Sequence, residues 1–242
     1  MFVNNKPTQI KQPYENIYIG TFLFTLGYMF RDKSKKINNG VGIELYQQTR
    51  DGERTIGDLL TSVGGKNIII EFKRQEKEIK EELTKKSKKK LREKLSENLD
   101  KRFNAISSNC HFLSIPAPYK NTNKFALGFT PYIKIVEKDK DGLHLMGIND
   151  FCSNYLDVQP SSVGVDHADF AYYLKELTKI SNGTCGGLAI SIDDSGIKAA
   201  VVFEDVRDLQ KSIMLAEKEA TLGREEHEKT LDKPVPQRGF ER

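Results

Sequence analysis

The stretch RTIGDLLTSVGGKNIIIEFKRQ, residues 54–75, decides the fold. Two extended runs, Arg54 to Val63 and Lys66 to Arg74, flank Gly64-Gly65, and a glycine pair between such runs is a strong short-range signal for a tight hairpin. If the glycines form a two-residue turn, Val63 faces Lys66 and paired residue numbers keep one sum along the hairpin. Asp58 then lies directly opposite Glu71. Directly opposed side chains stand roughly 5 Å apart, where two like charges repel. A divalent cation offsets that repulsion, because two carboxylates can ligate one hard ion and leave its other positions to water and phosphate oxygens. Side chains alternate along a strand, so Glu71 and Lys73 share one face while Ile70 and Phe72 share the other. Ile68, Ile69 and Ile70 make this strand too apolar for exposure on both sides, and a buried strand that ends in a carboxylate and an ammonium reads as a site.

Upstream, Val41 to Gln48 reads as a first strand, joined through Asp51-Gly52 into an antiparallel meander. Glu44 on this strand could be a further ligand, but a two-residue turn there would pair Leu45 with Asp58 and turn Glu44 to the opposite face, as a structural or surface carboxylate. Before it, Tyr14, Ile17, Tyr18, Phe22, Phe24, Leu26 and Met29 recur as in a largely buried helix after Pro13, and Lys33 to Gly40 reads as a loop. Downstream of Gln75, Ile79, Leu83, Leu91, Leu95, Leu99 and Phe103 form a row at four-residue spacing amid charges. One long amphipathic helix is expected to about Ile106, with Thr84 to Lys90 prone to fray. His111 to Ile115 is a short strand closed by Pro116 and Pro118, and Phe125 to Val136 is strand-like around Pro131. Beyond these, a helix is expected from about Ala168 to Ile180, a hairpin from Gly187 to Ile192 and Ile197 to Phe203 around Asp194-Ser195-Gly196, and a helix from Val206 to Ala220. From Leu222 on, charges with Pro234 and Pro236 suggest a disordered tail.

Composition sets the class. The chain has 242 residues, 38% of them hydrophobic, and no apolar run of the length a membrane span needs. Its polar N-terminus has no apolar signal core, so a cytoplasmic protein is expected. Cys110, Cys152 and Cys185 are odd in number and widely spaced, which argues against a disulfide framework or a zinc site. The formal charge of +4 is modest, but lysines and arginines crowd the stretch from Lys73 to Lys94. On a shared surface they would attract a phosphate backbone, and otherwise they form a solvated helix face. His111, His144 and His167 stand outside any ligating pattern, Asp166-His167 has no nucleophile at a recognisable spacing, and Asp193 and Asp194 suit a turn. Asn98 and Lys101 could also face nucleic acid.

An acidic residue, a spacer of about a dozen residues and then Glu-x-Lys on a core strand, here Asp58 followed by Glu71-Phe72-Lys73, resembles the PD-(D/E)xK nuclease superfamily. Gly57 stands where the motif's proline would be. The superfamily core of helix, three-stranded meander, helix and strand is similar to the order read from Tyr14 to Ile115. The fold class expected is thus α/β (α+β), restriction-endonuclease-like, with additional C-terminal helices and a hairpin. Its division would be 1–13 as a flexible N-terminus, 14–136 as the nuclease core, 137–220 as an extension packed on or completing that core, and 221–242 as the tail. The resemblance implies hydrolysis of phosphodiester bonds with Mg²⁺ or Mn²⁺ held by Asp58 and Glu71, and with Glu15 as a further ligand from the first helix. Lys73 would orient the attacking water or stabilise the transition state. Arg74, Gln75, Lys85, Lys88, Lys89 and Arg92 are the expected nucleic-acid contacts, DNA ahead of RNA. An endonuclease of restriction, phage defence, recombination or repair is implied, as a homodimer or with a partner subunit. The alternative is a catalytically silent subunit that binds nucleic acid or recruits a partner through the same fold.

Overall fold

Gly64 and Gly65 adopt φ of +58° and +81°, the left-handed region that glycine enters without steric cost. They close a two-residue turn between β2 (Leu59–Val63) and β3 (Lys66–Phe72), with Val63 opposite Lys66 and Leu59 opposite Ile70. Over these residues the register is the one the glycine pair dictates. The structure is a computed structural model and describes residues 13–33, 41–46, 59–82, 84, 86–96, 100–118, 125–136, 143–157, 163–181, 187–193 and 196–203.

Before this hairpin come α1 (Glu15–Lys33) and β1 (Val41–Tyr46). After it come α2 (Glu76–Glu82), α3 (Lys86–Ser96), α4 (Lys101–Cys110) and β4 (His111–Pro118). The chain continues through β5 (Phe125–Pro131), α5 (Tyr132–Val136), β6 (Met146–Gly147), α6 (Ile148–Tyr155), α7 (His167–Ser181), β7 (Gly187–Asp193) and β8 (Gly196–Phe203). The strands join in one mixed sheet in the order β6-β5-β4-β3-β2-β1-β7-β8. The pairing of β3 with β4 is parallel, and the helices α2 to α4 make the crossover between them. Residues after 136 extend this sheet on both sides, β6 beside β5 and β7 beside β1.

Because β3 is covered on both faces, its side chains sort by parity. Ile68, Ile70 and Phe72 pack with Tyr18, Phe22 and Leu26 of α1 and Phe151 of α6. Ile69 packs on the other side with Leu91 and Leu95 of α3, Phe103 of α4 and Tyr173 of α7. Each such side chain, fully buried, contributes roughly 2 kcal/mol from apolar burial.

Several expectations are corrected. The long helix after Gln75 is three helices, with a turn at Thr84 and a new start at Asp100, whose carboxylate caps α4 by accepting from the Phe103 amide at 2.9 Å. The segment after Pro131 is helical, since β5 ends at that proline. The first helix is buried along one stripe only, because Tyr18, Phe22 and Leu26 face the sheet while Ile17, Phe24 and Tyr28 are exposed. Leu45 pairs with Leu59, one residue away from the register that a two-residue turn at Asp51-Gly52 would impose. Position 44 therefore pairs with Leu60, in the ladder row of Ile69 and with the parity of Glu71, not the opposite parity. The helix expected at 206–220, the tail at 221–242 and Cys185 lie outside the described residues. No helix among the described residues is long and apolar enough to cross a membrane.

Candidate functional site

Strand β3 delivers Glu71 to the α3 side of the sheet, one step before its end, and the Lys73 amide continues the ladder by donating to the Ser114 carbonyl at 2.9 Å. Alternation then brings the Lys73 side chain back to the Glu71 face. Its Nζ donates to Glu71 Oε1 at 2.6 Å. A second ammonium arrives from α3, where Lys88 Nζ donates to Glu71 Oε2 at 2.9 Å. The Glu71 and Lys88 side chains are fully buried, and that of Lys73 is 7% exposed.

Burial alone would push the Glu71 carboxyl up. The Lys88 and Lys73 charges, with the hydrogen bonds they donate, outweigh it and hold the group well below the usual carboxylate range. Glu71 is therefore an anion inside the protein. It uses two of its four acceptor positions on these ammoniums.

Behind Lys88 lies an aromatic and imidazole layer. Lys88 Nζ sits 5.3 Å from the centroid of the Tyr132 ring, a cation–π geometry, and His111 stacks on Tyr132 at 4.5 Å with the planes 17° apart. The first residue of β4, His111 pairs through Nδ1 with Tyr173 Oη at 2.9 Å, and that hydroxyl also meets Ser107 Oγ at 3.0 Å. His111 Nε2 is buried without a hydrogen-bond partner. Burial first, then the Lys88 charge, push the imidazole down to about 3, against an opposite pull from Glu71. It is neutral at physiological pH.

At the exit of β3 a second group of residues ties the sheet to the start of α1. Arg74 Nε donates to the Pro13 carbonyl at 3.2 Å, and its guanidinium lies 5.2 Å from the Tyr14 ring centroid. Glu78 accepts from the Arg74 amide at 2.9 Å and from Gln75 Nε2 at 3.2 Å. Tyr14, Glu15, Asn16, Arg74 and Glu78 line an open cleft of about 520 Å³. Glu15 thus stands at the end of β3, on a helix that covers the Phe72 face, whereas Glu71 points to the other face.

The expected site residues divide accordingly. Glu71 and Lys73 meet. Asp58 lies outside the described residues, one position before Leu59. Lys89 is exposed and Arg92 half-buried on α3, while Lys85 and Asn98 are outside the described residues. Lys88 is a correction: expected on the solvent surface, it is sealed inside because it lies three residues before Leu91 and seven before Leu95, on the buried stripe of α3. That helical spacing was present in the sequence, and it could have identified Lys88 as a core-facing charge that needs a carboxylate partner. His144 is exposed, and Asp166 Oδ1 accepts from the Asp169 amide at 2.9 Å at the start of α7, a structural role. No three His, Cys, Asp or Glu side chains converge among the described residues. Compared with protein-family models, curated proteins and solved structures, the chain matches none.

Proposed function

We propose that the chain is a metal-dependent nuclease of the PD-(D/E)xK type, acting on DNA ahead of RNA, with Asp58, Glu71 and Lys73 as its working residues. The observation that carries the reading is the β2–β3 register, which pairs Leu59 with Ile70. Were the same register to continue one residue further, Asp58 would stand opposite Glu71, on the face where Lys73 meets the Glu71 carboxylate. The order of helix, three strands, helices and a parallel fourth strand supports the restriction-endonuclease-like architecture.

Oxygen anions are what Mg²⁺ and Mn²⁺ take, and Glu71 is ionised, but its two oxygens are held by two ammoniums and its side chain has no exposed area, so an ion would have to displace one of them. Asp58 and Glu71 would hold the ion, with Glu15 reaching it from the far side of the β3 terminus. Such an ion, when bound, acidifies a ligated water and neutralises charge that builds on phosphate. Lys73, on the less deeply buried side of Glu71, orients the attacking water and donates to a phosphate oxygen as charge develops there. Lys89 and Arg92, with Lys85, attract the phosphate backbone, and Arg74 and Gln75 border the approach. The remaining parts of the reading are a cytoplasmic location and action as a homodimer or with a partner subunit.

One observation favours a second reading. Glu71 is wholly buried between two ammoniums, an arrangement that also suits a catalytically silent subunit binding nucleic acid through the same fold. Incubation of the purified chain with plasmid, linear duplex, single strands and RNA, each with Mg²⁺, Mn²⁺ or EDTA, separates the two. The nuclease reading expects cleavage with either metal, none in EDTA, and a loss of about 10²- to 10³-fold in Lys73→Ala with binding retained. Binding without cleavage under every condition would leave the silent subunit.

A further inference from the structure

The outward side of α1 is apolar where a surface helix is ordinarily charged. Residues 16–30 of that helix carry no charge, and a helix apolar on every side is one that buries every side. The sheet covers only the stripe of Tyr18, Phe22 and Leu26. On the other side Ile17, Gly20, Thr21, Phe24, Gly27 and Tyr28 are all exposed, at the i, i+3, i+4, i+7 spacing that makes the seam of a helix pair. Ile17, Phe24 and Tyr28 are 53%, 76% and 61% exposed. Thr21 gives its hydroxyl proton to the Ile17 carbonyl at 2.8 Å, so it adds no unmet donor to the seam.

We infer that this seam is a dimer interface, in which α1 packs antiparallel on α1 of a second copy across a two-fold axis at Phe24. The exposed positions from Ile17 to Arg31 read the same in both directions about Phe24, as a self-complementary surface requires. An antiparallel two-fold then sets Tyr28 of each copy over Gly20 of the other, and Gly27 over Thr21. Gly20 and Gly27 have nothing within 4 Å of where a Cβ would stand, which leaves room for those side chains. Glycine is unfavourable inside a helix, and the close approach of a second backbone is a reason to keep it. Charge agrees, since Arg31 comes beside the first turn of the other copy, which holds Glu15, and the helix dipoles run opposed. A parallel pair would instead set Arg31 against Arg31. Aromatic side chains bury about 150–250 Å² each, so the seam closes on the order of 1,000 Å² in total, the lower edge of a specific interface. A membrane surface is a poorer match, because a helix lying in one carries Lys or Arg along its polar face, and residues 16–30 have neither. The seam stands on the opposite side of the sheet from the Glu71 ion pairs, so it is independent of the chemistry proposed there.

The test is sedimentation velocity of the full chain at about 1–100 µM, beside Phe24→Glu and Gly20→Leu, with circular dichroism to confirm that each variant is folded. Phe24→Glu sets two like charges against each other on the axis. Gly20→Leu fills the hole that takes Tyr28, yet it adds apolar surface and its Cβ meets nothing in its own chain. The wild type is expected to be a dimer at the upper concentrations, and both variants to raise Kd about 100-fold or more. Oxidation is expected to cross-link Phe24→Cys to its own copy beyond the wild-type background, and to leave Ile17→Cys single, because antiparallel pairing sets the two 17 positions roughly 21 Å apart at 1.5 Å per residue. A wild type that is monomeric throughout would overturn the inference, as would a dimer that survives Phe24→Glu, a Gly20→Leu variant that associates more strongly, or an Ile17→Cys cross-link. A monomer that floats with anionic phospholipid vesicles, and ceases to in Phe24→Glu, would overturn it in favour of a membrane surface.

Discussion

Replacing His111 by phenylalanine should remove most of the protein's loss of stability between neutral and mildly acid pH. In the folded chain the imidazole is pushed down to about 3, whereas an unfolded chain protonates histidine near its ordinary 6.5. Below about 6.5 the unfolded state therefore binds a proton that the folded state refuses, so the contribution is complete above that value and drains away as pH falls toward 3. Linkage gives a loss of about 2 kcal/mol between pH 7.5 and 5, a window above the ordinary titration range of carboxylates. Phenylalanine keeps the stack on Tyr132 and forgoes the bond to Tyr173 Oη, which shifts the baseline at pH 7.5 by about 1 kcal/mol. The assay is urea unfolding at half-unit steps from pH 7.5 to 5, with the slope of stability against pH as the readout. A wild-type slope that survives unchanged in His111→Phe would refute the reasoning, and so would a wild type whose stability is flat across the window.

Asp100→Ala removes both the cap of α4 and the acceptor of the Tyr172 hydroxyl at 2.7 Å, and should lower stability by about 1–2 kcal/mol in thermal or urea unfolding. Lys89→Ala/Arg92→Ala should weaken duplex binding about equally for all sequences and flatten the salt dependence by a slope of about two, measured by fluorescence anisotropy across a salt series. An unchanged slope would place the nucleic acid on another surface. Phe22→Ala, which empties a site ringed by Phe72, Phe129 and Phe151 at 5.6–6.1 Å, should cost about 3–5 kcal/mol and can be followed by calorimetry.

Where local chemistry dictates geometry, the sequence was legible. Two glycines able to take positive φ define the β2–β3 turn, and the turn defines the register along the described hairpin. The apolar run from Ile68 to Ile70 announced a strand buried on both faces, and Glu71 with Lys73 announced the polar end of it. The same was not possible at Asp51-Gly52, where the assumption of a two-residue turn gave a register one residue away from the observed pairing of Leu45 with Leu59, and position 44 changes parity with it. Lys88 was misread because a charge run looks like a solvated face until it is weighed against the stripe of Leu91 and Leu95 that includes it. The layer of His111, Tyr132 and Tyr173 was invisible for another reason. Its members come from β4, α5 and α7, and no local pattern connects residues so far apart in the chain.

The central claim is that one divalent cation joins Asp58 to Glu71 beside Lys73. Its most direct measurement is the anomalous difference map of crystals of the full chain soaked in Mn²⁺. A single peak within oxygen-ligand distance of both carboxylates, roughly 2.0–2.6 Å, is the expected result. The two carboxylates on different sides of the sheet, or a peak far from Glu71, would contradict it.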